Sequence, residues 1–288
     1  MAEIGFIGLG KIGMPICRHL IAAGHKVVGF KRSNIEEFVE IGGVPARSPA
    51  EVGALDLVFL CLPDSDALDK VVNGEDGLLP VLHEGQIVVG LGSNPVPVKK
   101  RFADLFAERG AIFLDGEVSG TPGMVEARKA AIYLAGDEAA AEKIRHTISA
   151  FAENCMYLGA FGSATKVKLC NNLLVALNIA GAAQVMAIGL KSGVDLISMI
   201  EAVNKGSGAS AQFAIRALWM AERRFSPQQG SATALTYYVK EIKSMAEEAG
   251  VSTELIDELL RIYEQAIPGI GDRDVAALLE YFETANRT

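Results

Sequence analysis

The segment 162–172, GSATKVKLCNN, carries two lysines and two asparagines at the start of a long apolar helical pattern. Residues advance by about 100° each around a helix, so Lys168 and Asn172 lie one turn apart on one face, with Asn171 close to it. Lys166 points well away from Asn172, which favours a solvated position. A buried amine beside an amide is suited to general acid/base chemistry, because burial lowers a lysine pKa towards neutrality. The spacing is equally compatible with a Lys168 whose ammonium reaches solvent.

A second candidate site lies at the N-terminus, where Gly8-x-Gly10-x-x-Gly13 follows a strand pattern and opens a helix. Glycines at this spacing allow a tight turn, close approach of the backbone to a pyrophosphate, and close packing of helix on strand. Lys11 and Ile12 complete the turn, and the N–H groups of a helix N-terminus favour a bound phosphate. Glycine turns without a ligand are common, but the strand, the helix and their position together predict dinucleotide binding.

The residues after the second predicted strand indicate which dinucleotide is bound. An NAD enzyme places Asp or Glu about 20 residues after the glycine turn, where it binds the ribose hydroxyls. Here the segment reads GFKRSN, with Lys31, Arg32 and Ser33 at that position. Two cations and a hydroxyl suit a 2′-phosphate, which favours NADP(H) over NAD. Two other interpretations stay open: Ser33-x-x-Glu36 is also a capping box, and Arg32 could be a solvated surface charge.

The order of the predicted elements indicates two domains. Up to residue 163, short apolar runs alternate with helical patterns, which is typical of a parallel sheet covered by helices on both faces. The runs AIYLAGD and CMYLG extend that sheet. Beyond it we predict only helices, over 164–191, 194–204, 209–222, 230–249, 252–266 and 272–285. We therefore expect an α/β Rossmann-type N-terminal domain (residues 1–163) and an all-α C-terminal domain (residues 164–288).

Composition limits the classes of partner. The net charge of −8 argues against nucleic-acid binding, which needs a basic face, but not against an anionic substrate. The cysteines have no CxxC spacing and lie in apolar runs, so we expect buried thiols. Because the histidines are also scattered, we expect no metal site.

The run Leu173–Leu190 raises the question of a membrane span, but Asn178 and Gln184 favour a soluble helix buried on all sides. Because no basic region precedes the first strand pattern, we expect a cytoplasmic protein that binds no membrane.

Six ordered motifs cover nearly the whole chain. They are IGFIGLGKIGMPICRHLIAAGHKVVGFKRS, CLPDSDALDKVV with GEDGLL, DGEVSG, GSATKVKLCNN, YYVKEIKSMAEEAGV and GIGDRDVAAL. Together they resemble the β-hydroxyacid dehydrogenase family, which includes 3-hydroxyisobutyrate dehydrogenase, tartronate semialdehyde reductase and glyoxylate/succinic semialdehyde reductase, with 6-phosphogluconate dehydrogenase as a larger relative.

The resemblance implies a role for each matching position. Lys168 is implied as the acid/base and Asn172 as the amide that orients it. Ser119, Gly120 and Thr121 are implied to bind a substrate carboxylate through hydroxyl and backbone N–H groups. Leu62 and Pro63 are implied to pack near the cofactor, and Ser93 and Asn94 to meet it on the nicotinamide side. Lys240 is implied to lie near both the nicotinamide and the substrate.

The implied activity is hydride transfer between the nicotinamide of NADP and a small β-hydroxy acid or the matching aldehyde or keto acid. Two departures from the family pattern concern the substrate: Glu117 stands where proline is common, and Thr121 replaces the second glycine of the substrate turn. Glu117 is either structural or disfavours an acidic substrate. An imine reductase, which generally carries Asp or Tyr in place of Lys168, and a non-catalytic NADP-binding scaffold are the alternatives. The apolar helical domain predicts a homodimer or homotetramer.

Overall fold

A computed structural model describes residues 1–284 of the chain. The chain divides into two compact units, Met1–Lys168 and Leu169–Thr288. The division falls inside one long helix, α8 (Ser163–Lys191), whereas the sequence pattern places the boundary at the start of that helix.

An eight-stranded sheet with the order β3-β2-β1-β4-β5-β6-β7-β8 forms the centre of the first unit. Its strands are β1 (Glu3–Ile7), β2 (Lys26–Phe30), β3 (Val44–Pro45), β4 (Leu57–Leu60), β5 (Ile87–Gly90), β6 (Ile112–Ser119), β7 (Ala131–Ala135) and β8 (Asn154–Tyr157). Neighbouring strands are parallel except for β6 and β7. The first six strands have the order of a Rossmann-type sheet, which confirms the predicted fold class.

The direction of β7 differs from the parallel sheet that the sequence predicts. Between β6 and β7 the chain forms only one short helix, α6 (Pro122–Glu126). A parallel crossover needs about a dozen residues or more, usually with a helix long enough to recross the sheet. The chain therefore re-enters the sheet at the edge where β6 ends, and Ser119 pairs with Ala131 in an antiparallel register.

Helices cover both faces of this sheet, because side chains alternate along its apolar strands. In β1, Phe6 belongs to a core cluster with Leu20 of the first helix, whereas Ile7 belongs to another with Phe102 of the fifth. Besides α6, the helices of this unit are α1 (Gly13–Ala22), α2 (Glu36–Glu40), α3 (Pro49–Gly53), α4 (Ser65–Asn73), α5 (Val96–Ala107) and α7 (Glu138–Ser149), with a single 3₁₀ turn at Leu79–Val81.

The described part of the second unit consists of helices, as predicted. After α8 come α9 (Leu196–Lys205), α10 (Ala211–Ala221), α11 (Ala232–Glu248), α12 (Glu254–Ile270), a 3₁₀ turn (Val275–Ala277) and α13 (Leu278–Thr284). The last predicted helix, 272–285, begins later than expected, and its final residue lies outside the described residues. Tyr263 is fully buried in the core of this unit, and its hydroxyl donates to the Ala176 carbonyl oxygen at 3.1 Å.

In the single chain α8 is not buried on all sides, so that prediction is wrong. Ala176, Ile179 and Ala183 belong to the core of the second unit, but Leu174 and Ile188 are 60% and 59% exposed. The helix has a mean hydropathy of 2.0 over 18 residues and is long enough to cross a membrane, although a core helix of a soluble protein passes the same test. An apolar stripe of this kind is typical of a surface that another surface covers.

The expectation of four buried thiols is also wrong. Only Cys17 is buried, Cys61 and Cys155 are half-buried, and Cys170 is exposed. Cys170 lies one helical turn before Leu174, on the exposed face of α8, so an apolar run in the sequence did not guarantee burial.

Candidate active site

Most of the predicted site residues follow strands that end at one edge of the sheet. The segments are 8–13 after β1, 31–33 after β2, 62–63 after β4, 93–94 after β5 and 119–121 at the end of β6. In an open α/β sheet, ligands bind outside the carboxyl ends of the strands, where the strand order reverses, here between β1 and β4. The first unit thus brings the predicted cofactor and substrate segments to the same edge.

The glycines of the first turn are needed for three different reasons. Gly8 has φ of 104°, and a Cβ there would lie 2.1 Å from the Cys61 carbonyl oxygen. A Cβ on Gly13 would lie 2.1 Å from the Gly8 carbonyl oxygen, so Gly13 lets α1 pack on the turn. Gly10 is exposed, and no atom lies within 4 Å of where its Cβ would be. Ile12 is the N-cap of α1, and its side chain has no atom that accepts a hydrogen bond from the first turn of the helix. The N–H groups of that turn, beside the open space at Gly10, therefore fit a pyrophosphate.

Lys31, Arg32 and Ser33 directly follow β2, with Arg32 and Ser33 exposed. The alternative in which Ser33 forms a capping box is not observed. Helix α2 begins at Glu36, whose N–H donates to Asn34 Oδ1 at 2.7 Å and whose carboxylate accepts from Asn34 Nδ2 at 2.8 Å. Asn34 therefore organises this helix start, and the cap does not account for the Ser33 hydroxyl.

Two more predicted cofactor segments follow β4 and β5. Leu62 and Ser93 are half-buried, Pro63 is exposed, and Asn94 is buried. The Asn94 Oδ1 accepts a hydrogen bond from Ser65 Oγ at 3.1 Å, which attaches the carboxamide to the start of α4. These two loops are therefore connected through side chains at the carboxyl edge.

The predicted substrate turn begins at Ser119, the last residue of β6. A Cβ on Gly120 would lie 2.9 Å from the Ala130 Cβ, so the turn packs closely there. Thr121 has an extended backbone and caps α6: its Oγ1 accepts from the Met124 N–H at 3.3 Å. A glycine is therefore not required at position 121, and the threonine hydroxyl keeps its hydrogen for donation to a ligand.

The two lysines on α8 differ in burial: the helix spacing predicts a solvated Lys166 but leaves open whether the Lys168 ammonium is buried. Lys166 is exposed, whereas Lys168 is only 9% exposed, which excludes the alternative of a solvent-exposed Lys168. Burial, opposed by the charge of Glu117, lowers the pKa of Lys168. Asn172, one turn further along the same helix, is 6% exposed. The catalytic roles of Lys168 and Asn172 stay predictions.

A polar cluster that sequence reasoning missed lies beside Lys168. Its members, Lys99, Asp115, Glu117 and Thr165, are called here the buried ionic cluster. The Lys99 Nζ lies 2.8 Å from both Asp115 Oδ1 and Glu117 Oε1, and these three side chains are at most 1% exposed. The Thr165 N–H donates to Asp115 Oδ2 at 3.0 Å, which attaches the first turn of α8 to β6.

The burial of Lys99 has a signal in the sequence. Lys99, Phe102 and Phe106 have the three- and four-residue spacing of one helix face, and all three are buried in α5. Burial by itself lowers the pKa of Lys99, but the charges of Glu117 and Asp115 outweigh it and raise that pKa above the ordinary value. A lysine on an apolar helix face thus indicates a buried carboxylate partner.

Glu117 is structural rather than a charge presented to substrate. Its side chain is fully buried, and both carboxylate oxygens accept hydrogen bonds. Oε1 accepts from Lys99 Nζ at 2.8 Å and from Thr165 Oγ1 at 3.1 Å, and Oε2 accepts from Ser93 Oγ at 2.6 Å. Glu117 therefore forms an ion pair with the Lys99 ammonium inside the protein.

Lys240 belongs to the second unit, on α11. Its side chain is 56% exposed, and its Nζ forms an ion pair with Glu264 Oε1 of α12 at 2.7 Å. The place near nicotinamide and substrate that the resemblance implies for Lys240 stays a prediction.

Comparison with known proteins identifies the family. The model of the NAD-binding domain of 6-phosphogluconate dehydrogenase matches residues 3–159, and the NAD-binding model of NADP-dependent 3-hydroxyisobutyrate dehydrogenase matches residues 162–282. The chain belongs to the β-hydroxyacid dehydrogenase family. It is an oxidoreductase that binds a pyridine nucleotide and acts on CH–OH groups.

Its relatives among characterised proteins cover much or nearly all of the chain. The 2-(hydroxymethyl)glutarate dehydrogenase of Eubacterium barkeri is 29% identical over 98% of this chain and 95% of its own. The 2-hydroxy-3-oxopropionate reductase of Escherichia coli is 30% identical over 78% of each chain.

Solved structures show the same fold. The 3-hydroxyisobutyrate dehydrogenase of Mycobacterium tuberculosis has a TM-score of 0.89 at 22% identity and covers 98% of this chain and 99% of its own. Psf3, solved with NADP⁺ and 2-OPP, has a TM-score of 0.86 at 25% identity over 96% of this chain and 99% of its own. The V8 variant of the imine reductase of Myxococcus stipitatus has a lower TM-score of 0.66 at 19% identity and covers 98% of this chain and 99% of its own.

Proposed function

We propose that this β-hydroxyacid dehydrogenase uses NADP(H) to interconvert a small β-hydroxy acid and the matching aldehyde or keto acid, with Lys168 as general acid/base. The observation that carries the proposal is the burial of Lys168 on the helix that Thr165 attaches to β6. Burial lowers the pKa of Lys168, which suits an acid/base near neutral pH. When bound, the nicotinamide supplies or takes up the hydride at the substrate carbon. In reduction the Lys168 ammonium donates its proton to the carbonyl oxygen, and in oxidation the neutral amine accepts it from the hydroxyl.

The preference for NADP is supported by the residues after β2. Arg32 and Ser33 are exposed beside Lys31, and no acidic residue stands among these three positions, where NAD enzymes hold the ribose hydroxyls. Guanidinium, ammonium and hydroxyl groups all donate to phosphate oxygens. The NADP⁺ bound to Psf3 is consistent with this choice.

The substrate is proposed to carry a carboxylate. Ser119 and Gly120 end β6 at the carboxyl edge, and Thr121 keeps a hydroxyl hydrogen for donation. The relatives named above act on 2-(hydroxymethyl)glutarate and 2-hydroxy-3-oxopropionate, both carboxylates. Because the Glu117 carboxylate is fully buried and bonded to Lys99 and Ser93, it is not presented to a substrate and does not argue against an acidic one.

We also propose that the protein is cytoplasmic, forms a homodimer or homotetramer, and binds neither nucleic acid nor membrane. The exposed stripe of α8 around Leu174 and Ile188 supports self-association, because single chains rarely leave such a stripe in water. The net charge of −8 supports the exclusion of nucleic acid.

A substrate screen with NADPH and NADH tests the proposal. We expect oxidation of NADPH with small aldehyde acids, and loss of that activity in Lys168→Ala. Turnover at the wild-type rate in Lys168→Ala would show that the assignment of the acid/base is wrong. Activity on cyclic imines but not on aldehyde acids would favour the imine reductase alternative, and tight NADPH binding without any turnover would favour the scaffold.

A further inference from the structure

The buried ionic cluster contains one more carboxylate than it has cations. The Lys99 ammonium lies between Asp115 and Glu117, at 2.8 Å from each. When all three groups are ionised, one negative charge stays uncompensated inside the cluster. An uncompensated buried charge is costly, so the surrounding structure is expected to supply a further cation.

Lys168 is a buried cation on the helix face that also carries Thr165. Thr165 and Lys168 are three residues apart on α8, a spacing that places them on one face, and both are buried, whereas the intervening Lys166 is exposed. The Thr165 Oγ1 lies 2.7 Å from Asp115 Oδ1 and 3.1 Å from Glu117 Oε1. The helix face that carries Lys168 is therefore the face that packs against the carboxylates of β6.

Glu117 also acts on a group that follows β4. Burial, assisted by the charge of Glu117, raises the pKa of the Cys61 thiol to about 12. The titratable groups of the first unit that interact with Glu117 are thus Lys99, which also pairs with Asp115, together with Cys61 and Lys168. Glu117 is the carboxylate whose charge reaches Lys168.

We propose that Glu117 is a positioning residue for proton transfer, the counter-ion that keeps Lys168 protonated between turnovers. The inference rests on the proposed role of Lys168. Lys99 Nζ bonds one carboxylate oxygen of Glu117 at 2.8 Å and Ser93 Oγ bonds the other at 2.6 Å, so the carboxylate has a defined position. Burial on its own favours the neutral amine, which cannot donate a proton to a carbonyl oxygen; the carboxylate opposes that effect.

The variant Glu117→Gln tests this inference. The glutamine amide oxygen still accepts from Lys99, its NH2 group donates to the Ser93 hydroxyl, which then accepts, and Lys99 keeps its ion pair with Asp115, so the charge is the main loss. Lys168 is titrated by carbon NMR in protein labelled at the lysine Cε, with its signal assigned from Lys168→Met. The midpoint is expected to fall by roughly 1 pH unit, as for loss of a nearby opposite charge.

Activity gives a second readout. The basic limb of the pH profile of kcat/KM for reduction is expected to move to lower pH by the same amount in Glu117→Gln. A matched control is Glu84→Gln, since Glu84 is an exposed carboxylate just before β5, at the other end of that strand from Ser93. It should change neither the titration nor the profile, and Glu117→Asp should restore the midpoint towards the wild-type value.

An unchanged Lys168 midpoint in folded Glu117→Gln would overturn the inference. If that variant does not fold, the double variants Lys99→Met/Glu117→Gln and Lys99→Met/Asp115→Asn are compared, because both leave one unpaired carboxylate in the cluster and differ only in which one it is. The Lys168 midpoint is expected to be lower in the first, which has lost Glu117, and equal midpoints would overturn the inference. A shifted midpoint together with wild-type turnover in Lys168→Ala would keep the ion pairing but reject the proposed function. The two failures are therefore distinguishable.

Discussion

Replacement of Lys168 by methionine is expected to lower activity and raise stability together. Methionine keeps an unbranched chain of similar length but removes the ammonium. A positioned general acid contributes about 10²- to 10⁴-fold to the rate, so kcat for reduction should fall by that factor, which is about 3–5 kcal/mol in the barrier. NADPH affinity should change little, because the amine acts on the substrate oxygen.

The sign of the stability change follows from the lowered pKa of Lys168. Its ordinary value is 10.5, and burial lowers it in the folded chain, so between the two values the unfolded chain binds more protons than the folded one. The net penalty for burying the ammonium, which the Glu117 charge offsets only in part, is therefore fully present below the folded pKa and is relieved as pH rises through that pKa towards 10.5. Each pH unit between the two values corresponds to about 1.4 kcal/mol.

Two measurements on the same samples check this prediction. Urea unfolding at pH 7 should give a free energy of unfolding for Lys168→Met equal to or above that of the wild type, with the difference shrinking at alkaline pH. Steady-state kinetics should show the loss in kcat. A variant that is clearly less stable at pH 7 would show that Lys168 is stabilised in its charged form. A variant with wild-type kcat would show that Lys168 takes no part in proton transfer. Either result would refute the reasoning.

Three further predictions concern the cofactor and the apolar stripe. Arg32→Asp should shift the ratio of kcat/KM for NADPH over NADH by about 10- to 100-fold towards NADH, because a charge-assisted hydrogen bond is worth about 1.5–3 kcal/mol; an unchanged ratio would contradict the 2′-phosphate assignment. Gly10→Val should leave the melting temperature unchanged but weaken NADPH binding about tenfold or more, as measured by fluorescence titration. Gly13→Val should weaken binding and also lower the melting temperature, because its Cβ would lie 2.1 Å from the Gly8 carbonyl oxygen. Leu174→Lys with Ile188→Lys should shift the mass measured by light scattering towards that of the monomer, and an unchanged oligomer would place its interface elsewhere.

Local patterns were enough to predict several features because each depends on residues close together in the chain. Alternating apolar strands and helices predicted the Rossmann-type unit and the helical unit. The spacing of Gly8, Gly10 and Gly13 predicted a turn whose backbone tolerates no Cβ at two of its three glycines. The helical period predicted the exposed Lys166, but it left open whether Lys168 is buried. The sequence pattern could not decide whether Ser33 caps α2, because the neighbouring Asn34 can accept from the same Glu36 N–H. In the structure Asn34 accepts that hydrogen bond.

The sequence by itself thus determined the order of elements, the glycine turn and the helix face that carries Lys168, since the periods of helix and strand and the sterics of the backbone are local properties. Only the tertiary structure decided that Lys99 bonds Glu117 and Thr165, which are 18 and 66 residues away. It also decided that β7 runs antiparallel and that one face of α8 stays uncovered in the single chain. Long-range pairing of charges depends on how strands and helices pack in space, and no residue spacing along the chain records it.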